Sequence, residues 1–246
     1  MYSLSLLTTN SKLDKSNKRF QNVLNVGLAM APHNRSGHNV CPAAGYCSAV
    51  CLAWFSGRTV TSTVRNAMLK RTQWLFSEPV SFHKALDREL LLLERRADRQ
   101  GKTAYCRLNV ASDLDWSRTV ERFPRIRFYD YTKVRSRVQK AIDGRWPSNY
   151  SLTLSYNEKL DQNTMRAALW AGLNVSVVFD TEYCPQAKRI GKLPRSFQRF
   201  PVIDGDTHDL RHPDSDGRGR IIGLRFKGSR RLLEQAIKRR FVVSAS

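Results

Sequence analysis

The feature that most constrains the fold is an alternation, beginning near residue 102, of short apolar runs with longer polar or helical segments. Six such runs, and a seventh that precedes them, cover residues 26–31, 103–110, 126–131, 151–155, 175–179, 201–203 and 221–226. Short apolar strands joined by crossover-length segments are typical of parallel strands buried on both faces. The pattern predicts an α/β protein, a complete or incomplete (β/α) barrel of mostly parallel strands. An open doubly wound sheet is the second choice, because the glycine-rich phosphate turn of dinucleotide folds is missing.

Helical periodicity accounts for much of the remaining chain. It is seen in residues 62–76, 81–99 and 161–171, residues 46–53 are predicted to begin a helix, and residues 230–240 form an amphipathic, very basic C-terminal helix. The polar residues 1–25 are predicted to be an irregular N-terminal arm. Residues 26–246 then form a single barrel-like domain, since a chain of this length buries a large core without disulfides.

The formal net charge is +21, from 42 Lys and Arg against 21 Asp and Glu. Because excess charge repels itself in a compact protein, it indicates a polyanionic partner, most simply nucleic acid and alternatively an acidic protein. No apolar run approaches the roughly 18 residues of a membrane span, and no signal-peptide pattern is present, so no membrane partner is expected. The cations predicted to contact nucleic acid are Arg225, Lys227, Arg230, Arg231, Lys238, Arg239 and Arg240.

Three of the five cysteines are clustered, at Cys41, Cys47 and Cys51. Cys47 and Cys51 are four residues apart, so a helix places them on one face, and Cys41 lies in the loop just before. Three thiolates leave one coordination position open, which suits an iron–sulfur cluster or a catalytic metal, with zinc as the alternative. Plain burial and redox thiols are the other interpretations. Cys106 alternates with apolar residues and is predicted to be core, whereas Cys184 is a possible fourth ligand.

Acidic residues follow several predicted strands. Asp113, Asp130, Asp180 and Asp204 each stand at or just past a strand end, and Asp206 and His208 follow Asp204. Since parallel strands present their carboxyl ends on one face, these groups and the cysteine cluster are predicted to form one site. Asp113, Asp204, Asp206 and His208 are the catalytic candidates, with His208 as the proton-transfer group. Helix capping and a simple turn at residues 204–206 are the competing interpretations.

Six strings occur together in a fixed order along the chain. They are LLTTNSK (6–12), NVCPAAGYCSAVC (39–51), RLNVASD (107–113), FYDYTK (128–133), PVIDGDTHDLR (201–211) and IGLRFKG (222–228). In this order they resemble a bacteriophage family called the gene product 88 family. The resemblance spans nearly the whole chain and implies a phage-encoded protein in the host bacterial cytoplasm. The layout also resembles the radical-SAM barrel, but the x5 then x3 cysteine spacing departs from it, and SAM is not predicted as a cofactor.

Three functions remain open from the sequence. The first is an iron–sulfur, radical-SAM-like enzyme that acts on nucleic acid or nucleotides. The second is a metal-dependent nuclease or hydrolase that uses the strand-end carboxylates with a divalent cation. The third is a non-catalytic protein that binds host nucleic acid or an acidic host factor, with structural cysteines.

Overall fold

The computed structural model of the protein describes residues 4–55, 61–181, 183–184 and 189–245. The strands are β1 (Leu7–Thr8), β2 (Val23–Leu28), β3 (Thr103–Arg107), β4 (Arg127–Thr132), β5 (Tyr150–Ser155), β6 (Asn174–Phe179), β7 (Tyr183–Cys184), β8 (Arg189–Ile190), β9 (Ser196–Phe197), β10 (Phe200–Asp204), β11 (Ile221–Arg225) and β12 (Val242–Val243). The helices are α1 (Ser11–Arg19), α2 (Leu52–Phe55), α3 (Ser62–Ser77), α4 (Pro79–Arg99), α5 (Ser117–Val120), α6 (Arg135–Ile142), α7 (Gln162–Trp170), α8 (Pro213–Asp216) and α9 (Arg230–Lys238).

The main sheet has the strand order β1-β2-β3-β4-β5-β6-β11-β10-β9, and β12 pairs with β6. From β2 to β10 every pair of neighbours in this order is parallel. Each of these seven strands overlaps one of the seven apolar runs, although β2 begins three residues before the first run, 26–31, and the prediction of a mostly parallel α/β sheet is confirmed. All their carboxyl ends therefore meet along one side of the sheet, which we call the carboxyl edge.

The sheet is not closed, and the predicted barrel is not confirmed. Strands β1 and β9 pair antiparallel with the two outer parallel strands, β2 and β10. The side chain of Asn17 on α1 also occupies the outer edge of β2, where its Nδ2 donates to the carbonyl of Asn25 at 3.0 Å and its Oδ1 accepts from the Asn25 amide at 2.7 Å. Because this amide satisfies the backbone groups that a closing strand needs, it blocks pairing at that position.

The two faces of the sheet are covered differently. On β3, Ala104 and Cys106 pack with helices α3 to α5, which confirms Cys106 as a core residue. The alternate residues Tyr105 and Arg107 instead contact Asp214 and Asp209, in the segment that joins β10 to β11. That segment must return from the carboxyl end of β10 to the amino end of β11, and it crosses the sheet on this second face.

Two local predictions are wrong. The polar residues 1–25 do not form an irregular arm in the part that the structure describes, since residues 4–25 include β1, α1 and the start of β2, and Leu6 and Leu13 are fully buried. Glu89 holds this segment, because its carboxylate accepts from the amides of Leu6 and Leu7 at 2.8 and 2.7 Å. The helix predicted for residues 46–53 is a 3-10 turn, Gly45–Ser48, followed by the four-residue α2. None of the helices within the described ranges has the length and apolar character required to span a membrane.

Candidate functional site

The segment that carries the clustered cysteines, residues 41–51, is called here the cysteine segment. It begins at the carboxyl end of β3, where the Cys41 thiol contacts the carbonyl of Ala111 at 3.6 Å and accepts from the amide of His33 at 3.3 Å. The carbonyl of the preceding residue, Val40, accepts from the amide of Asp113 at 2.8 Å. These bonds fix Cys41 beside the loop that follows β3.

A second anchor holds the middle of the cysteine segment at the end of β5. The carboxylate of Glu158, three residues past β5, accepts from the amide of Tyr46 at 2.8 Å. Gly45 permits this approach, because its φ of +53° is strained for any residue with a side chain and a Cβ there would overlap Glu158. The cysteine segment therefore crosses the carboxyl edge from β3 to β5, as expected for a functional loop of a parallel sheet.

The three thiols lie within electrostatic range of one another. Burial is the main cause that raises the pKa of Cys41 to about 11, and the charges of Asp113, Cys47 and Cys51 raise it further, against the hydrogen bond from His33. The pKa of Cys51 is also raised, first by burial and then by Cys47. The protonated forms of Cys41 and Cys51 are therefore favoured at neutral pH.

The sulfur atoms of the three cysteines are ligands that soft metals and iron–sulfur clusters prefer. Among the residues that the structure describes, however, no three His, Cys, Asp or Glu side chains are grouped closely enough to hold a metal ion. Binding one therefore requires Cys41, Cys47 and Cys51 to converge, and the metal assignment stays a prediction. The side chain of Cys184, the possible fourth ligand, lies outside the described residues.

The carboxylates predicted to be catalytic are engaged in ion pairs. Asp113 accepts from Arg137 at 2.7 Å and from the amide of Lys133 at 2.8 Å, so it ties the loop after β3 to the start of α6. At the ends of β10 and β11, Arg225 donates to both Asp204 and Asp206, at 2.9 and 3.1 Å. Lys227 completes this second group with a 2.6 Å bond to Asp206. Both groups stand at the carboxyl edge, as predicted, and each carboxylate is neutralised by a cation.

Two other carboxylates that were predicted at strand ends position the backbone around them. Asp130 lies within β4 rather than at its end, and its carboxylate accepts from the amide of Asn109 and from the hydroxyl of Tyr150. Complete burial raises the pKa of Asp130 to about 7. Asp180 accepts from the amide of Ala245 at 2.8 Å. The structure thus gives both residues a positioning role in the backbone around them.

His208 is turned into the protein rather than toward the cysteine segment. Its Nδ1 lies 2.8 Å from Nη2 of Arg211, and its ring packs edge-on against Phe20. Burial, followed by the charge of Arg211, lowers the pKa of His208 to about 4. The imidazole is therefore neutral at neutral pH, which removes it as a proton donor there. Of the four catalytic candidates, Asp113 is the one that contacts the neighbourhood of Cys41.

The basic C-terminal helix packs directly against the cysteine segment. Tyr46, Cys47 and Val50 are half-buried against a cluster formed by Phe226, Ala236, Phe241 and Val242. The hydroxyl of Tyr46 also reaches Gln235 on α9, at 3.4 Å. In contrast to the paired Arg225 and Lys227, the remaining predicted cations are exposed on or just after this helix: Arg230, Arg231, Lys238, Arg239 and Arg240. The basic surface and the cysteine segment are thus continuous.

An aromatic and arginine group beside Cys51 has no counterpart in the sequence predictions. The guanidinium of Arg65 lies 4.8 Å from the ring centre of Trp54, and that of Arg35 lies 5.2 Å from the ring centre of Phe55, which is 53% exposed. Such stacks suit nucleobases as well as cations. The pair Trp54-Phe55, three and four residues after Cys51, is the sequence signal that was available, but its arginine partners come from two other segments.

The motif resemblance is confirmed by a family comparison. The family model described as Gene product 88 matches residues 4–245, which is almost the entire chain. No curated protein and no solved structure matches the chain. The arrangement of residues at the carboxyl edge must therefore carry the functional argument.

Proposed function

This chain belongs to the gene product 88 family, and we propose that it binds nucleic acid across α9 and acts there through a metal or iron–sulfur centre held by Cys41, Cys47 and Cys51. The observation that supports the proposal is the packing of the basic helix on the segment that contains Cys47. A nucleic-acid strand bound to α9 would pass next to the thiols of the cysteine segment. The host bacterial cytoplasm, where thiols stay reduced, is the proposed setting.

The nucleic-acid part of the proposal depends on exposed charge. From residue 230 to residue 240 there are five cations and one carboxylate, that of Glu234, which lies 3.4 Å from the exposed Arg230. Exposed ion pairs of this kind are weak, so the helix keeps a strongly positive surface. Its neutralisation by phosphates releases counterions and drives binding. The exposed ring of Phe55, four residues after Cys51, adds a stacking surface beside the cysteine segment.

The metal part depends on the donor set. A bound metal would deprotonate the thiols, and three thiolates would leave one coordination position for a substrate group. Cys47 lies within a short 3-10 turn, Gly45–Ser48, and Cys51 follows three residues after its end; the hydrogen-bond geometry of such turns is poorer than that of an α-helix. Asp113, Arg137 and Lys133 surround the Cys41 side of the same site and would orient a polar substrate.

One of the other functions keeps specific support. A non-catalytic protein that binds host nucleic acid or an acidic host factor is favoured by the raised pKa values of Cys41 and Cys51 and by the fact that no three metal-ligand side chains are grouped within the described residues. The hydrolase alternative has less support, because its carboxylates pair with Arg137, Arg225 and Lys227. Metal analysis separates the proposed function from the non-catalytic one, and nucleic-acid cleavage that requires a divalent cation would identify the hydrolase.

The metal test is anaerobic reconstitution with iron and sulfide, and separately with zinc. The wild-type chain is expected to retain close to one centre, and Cys41→Ala, Cys47→Ala and Cys51→Ala are each expected to lose it. Cys106→Ala is the matched control, because Cys106 is a buried cysteine outside the cysteine segment. Wild-type protein that retains no metal, or a loss that is equal in the Cys106 variant, contradicts the metal part.

The nucleic-acid test is the salt dependence of binding. Replacing Arg231, Lys238 and Arg239 with Gln is expected to reduce the slope of log K against log salt by up to about 2.7 for duplex DNA, at roughly 0.9 per phosphate contact. The matched control replaces three exposed arginines of α4, namely Arg95, Arg96 and Arg99. Equal effects of the two triple variants contradict a specific role for α9.

A further inference from the structure

A second groove lies far from the cysteine segment in the strand layout. It is lined by Arg166, Trp170, Gln198, Arg199 and Phe200 and has a volume of about 570 Å³. Trp170 is the last residue of α7, just before the amino end of β6, and Phe200 begins β10. The groove therefore opens at the amino edge of the sheet, opposite the carboxyl edge where the cysteines lie.

Trp170 is the most conspicuous residue of this groove. Its side chain is 75% exposed, although a large aromatic ring normally contributes to the core. Phe200 supports the ring from one side, with 6.3 Å between the ring centres and 56° between their planes. The rest of the indole surface is thus available to a flat ligand.

Two arginines complete the groove, and one of them is presented by a strained turn. Gln198 and Arg199 form the two-residue turn between β9 and β10, with φ values of +52° and +71°. Turns of this type strongly favour Asn-Gly, because residues with longer side chains are disfavoured in left-handed backbone. Gln198 also accepts from Nη2 of Arg166 at 3.2 Å, which holds that guanidinium in the groove. Strain retained in this way is typical of ligand sites.

We propose that this groove binds a nucleotide unit of single-stranded nucleic acid, with the base stacked on Trp170 and the adjoining phosphate held by Arg166 and Arg199. The inference depends on the proposed binding of nucleic acid and adds a separate contact point. The described residues that line the groove are two cations, two aromatic rings and an amide, which is the combination that single-strand binders use. An apolar protein partner fits less well, since both arginines would have to be desolvated.

The test measures binding of an oligothymidylate and of an abasic strand of equal length, which has the same phosphates and no bases. Trp170→Ala is expected to weaken oligothymidylate binding roughly 5- to 100-fold and to leave abasic-strand binding unchanged. Trp170→Phe retains a stacking ring and is expected to recover most of the affinity. Arg199→Gln is expected to weaken both ligands and to lower the salt slope by roughly 0.7, the value for a single-strand phosphate contact, whereas the exposed control Arg95→Gln leaves the slope unchanged.

The outcomes separate this inference from the function on which it depends. If wild-type protein binds both strands and Trp170→Ala binds them equally well, the groove is not a base site and binding through α9 stands. If wild-type protein binds neither strand nor duplex DNA, both proposals are wrong. If Trp170→Ala loses binding of both the oligothymidylate and the abasic strand and also has a lowered unfolding midpoint, the variant has a folding defect. The Trp170→Phe variant then decides. A preference for the oligothymidylate equal to that of wild type supports the base site, and the absence of this preference overturns it.

Discussion

Replacement of Gly45 by Ala tests how the cysteine segment is held at the carboxyl edge. Gly45 has a φ of +53°, and an added Cβ would overlap Oε1 of Glu158 and lie 3.0 Å from its Cδ. The left-handed backbone alone costs about 1–2 kcal/mol for a residue with a side chain. The Glu158 carboxylate must also leave the amide of Tyr46, which removes a charged hydrogen bond of about 1.5–3 kcal/mol. We expect a total cost of roughly 2.5–5 kcal/mol.

Gly37 supplies a matched control for this prediction. It lies in the same connection, its φ is +87°, and a Cβ there would meet no heavy atom of the described residues within 4 Å. Gly37→Ala is therefore expected to cost only the backbone term, about 1–2 kcal/mol. Glu158→Gln keeps an oxygen acceptor for Tyr46 and is expected to cost about 1 kcal/mol or less.

The assay combines urea unfolding with the alkylation rate of Cys47, read by mass spectrometry. If the cost of Gly45→Ala is confined to the cysteine segment, Cys47 reacts faster while the unfolding midpoint changes little. If the segment unfolds together with the sheet, the midpoint falls instead. Equal behaviour of the Gly45 and Gly37 variants in both measurements would refute the anchoring role of Glu158.

Three further predictions concern single groups. Arg225→Gln is expected to lower stability by about 1.5–3 kcal/mol, measured by urea unfolding, because Asp204 and Asp206 lose its charged hydrogen bonds while Asp206 keeps its ion pair with Lys227. The salt slope of DNA binding is expected to stay unchanged, since Arg225 is engaged within the protein; a changed slope with normal stability would contradict this. In wild-type protein, His208 is expected to make stability rise as the pH is raised from 4 to 6.5, because the unfolded chain binds a proton in this range and the folded chain, with a His208 pKa of about 4, does not. His208→Gln is expected to remove this rise, and parallel pH profiles of the two proteins would contradict the prediction. Replacing Gln198-Arg199 with Asn-Gly is expected to relieve about 1 kcal/mol or more of backbone strain, and therefore to raise the thermal unfolding midpoint while weakening single-strand binding. A lower midpoint would contradict the claim that this turn is strained.

The parallel sheet could be predicted because its strands are short, apolar and buried on both faces, a pattern that few other structures share. Residues 1–25 were mispredicted because α1 has a single apolar residue, Leu13, so periodicity gives no signal there. The same helix leaves the sheet open through Asn17, a contact between a side chain and a strand edge that no sequence pattern encodes. Closure of a barrel depends on such edge contacts and cannot be read from strand count.

The candidate site was predictable in position but not in pairing. The strand-end rule correctly placed Cys41, Asp113 and Asp204 at the carboxyl edge, because it depends only on parallel order. It could not show that Arg225 is held between Asp204 and Asp206, since these partners lie about 20 residues apart on neighbouring strands. His208 shows the same limit, because its contacts with Phe20 and Arg211 and its lowered pKa depend on burial that its position in the sequence does not reveal.

The central claim is that the basic helix and the cysteine segment form one surface for nucleic acid. The most direct measurement is the alkylation rate of each cysteine, followed by mass spectrometry, with and without a saturating oligonucleotide. The bound oligonucleotide is expected to slow the alkylation of Cys47 and Cys51 and to leave that of the buried Cys106 unchanged. Unchanged rates at Cys47 and Cys51, with the protein fully bound to nucleic acid, would contradict the account.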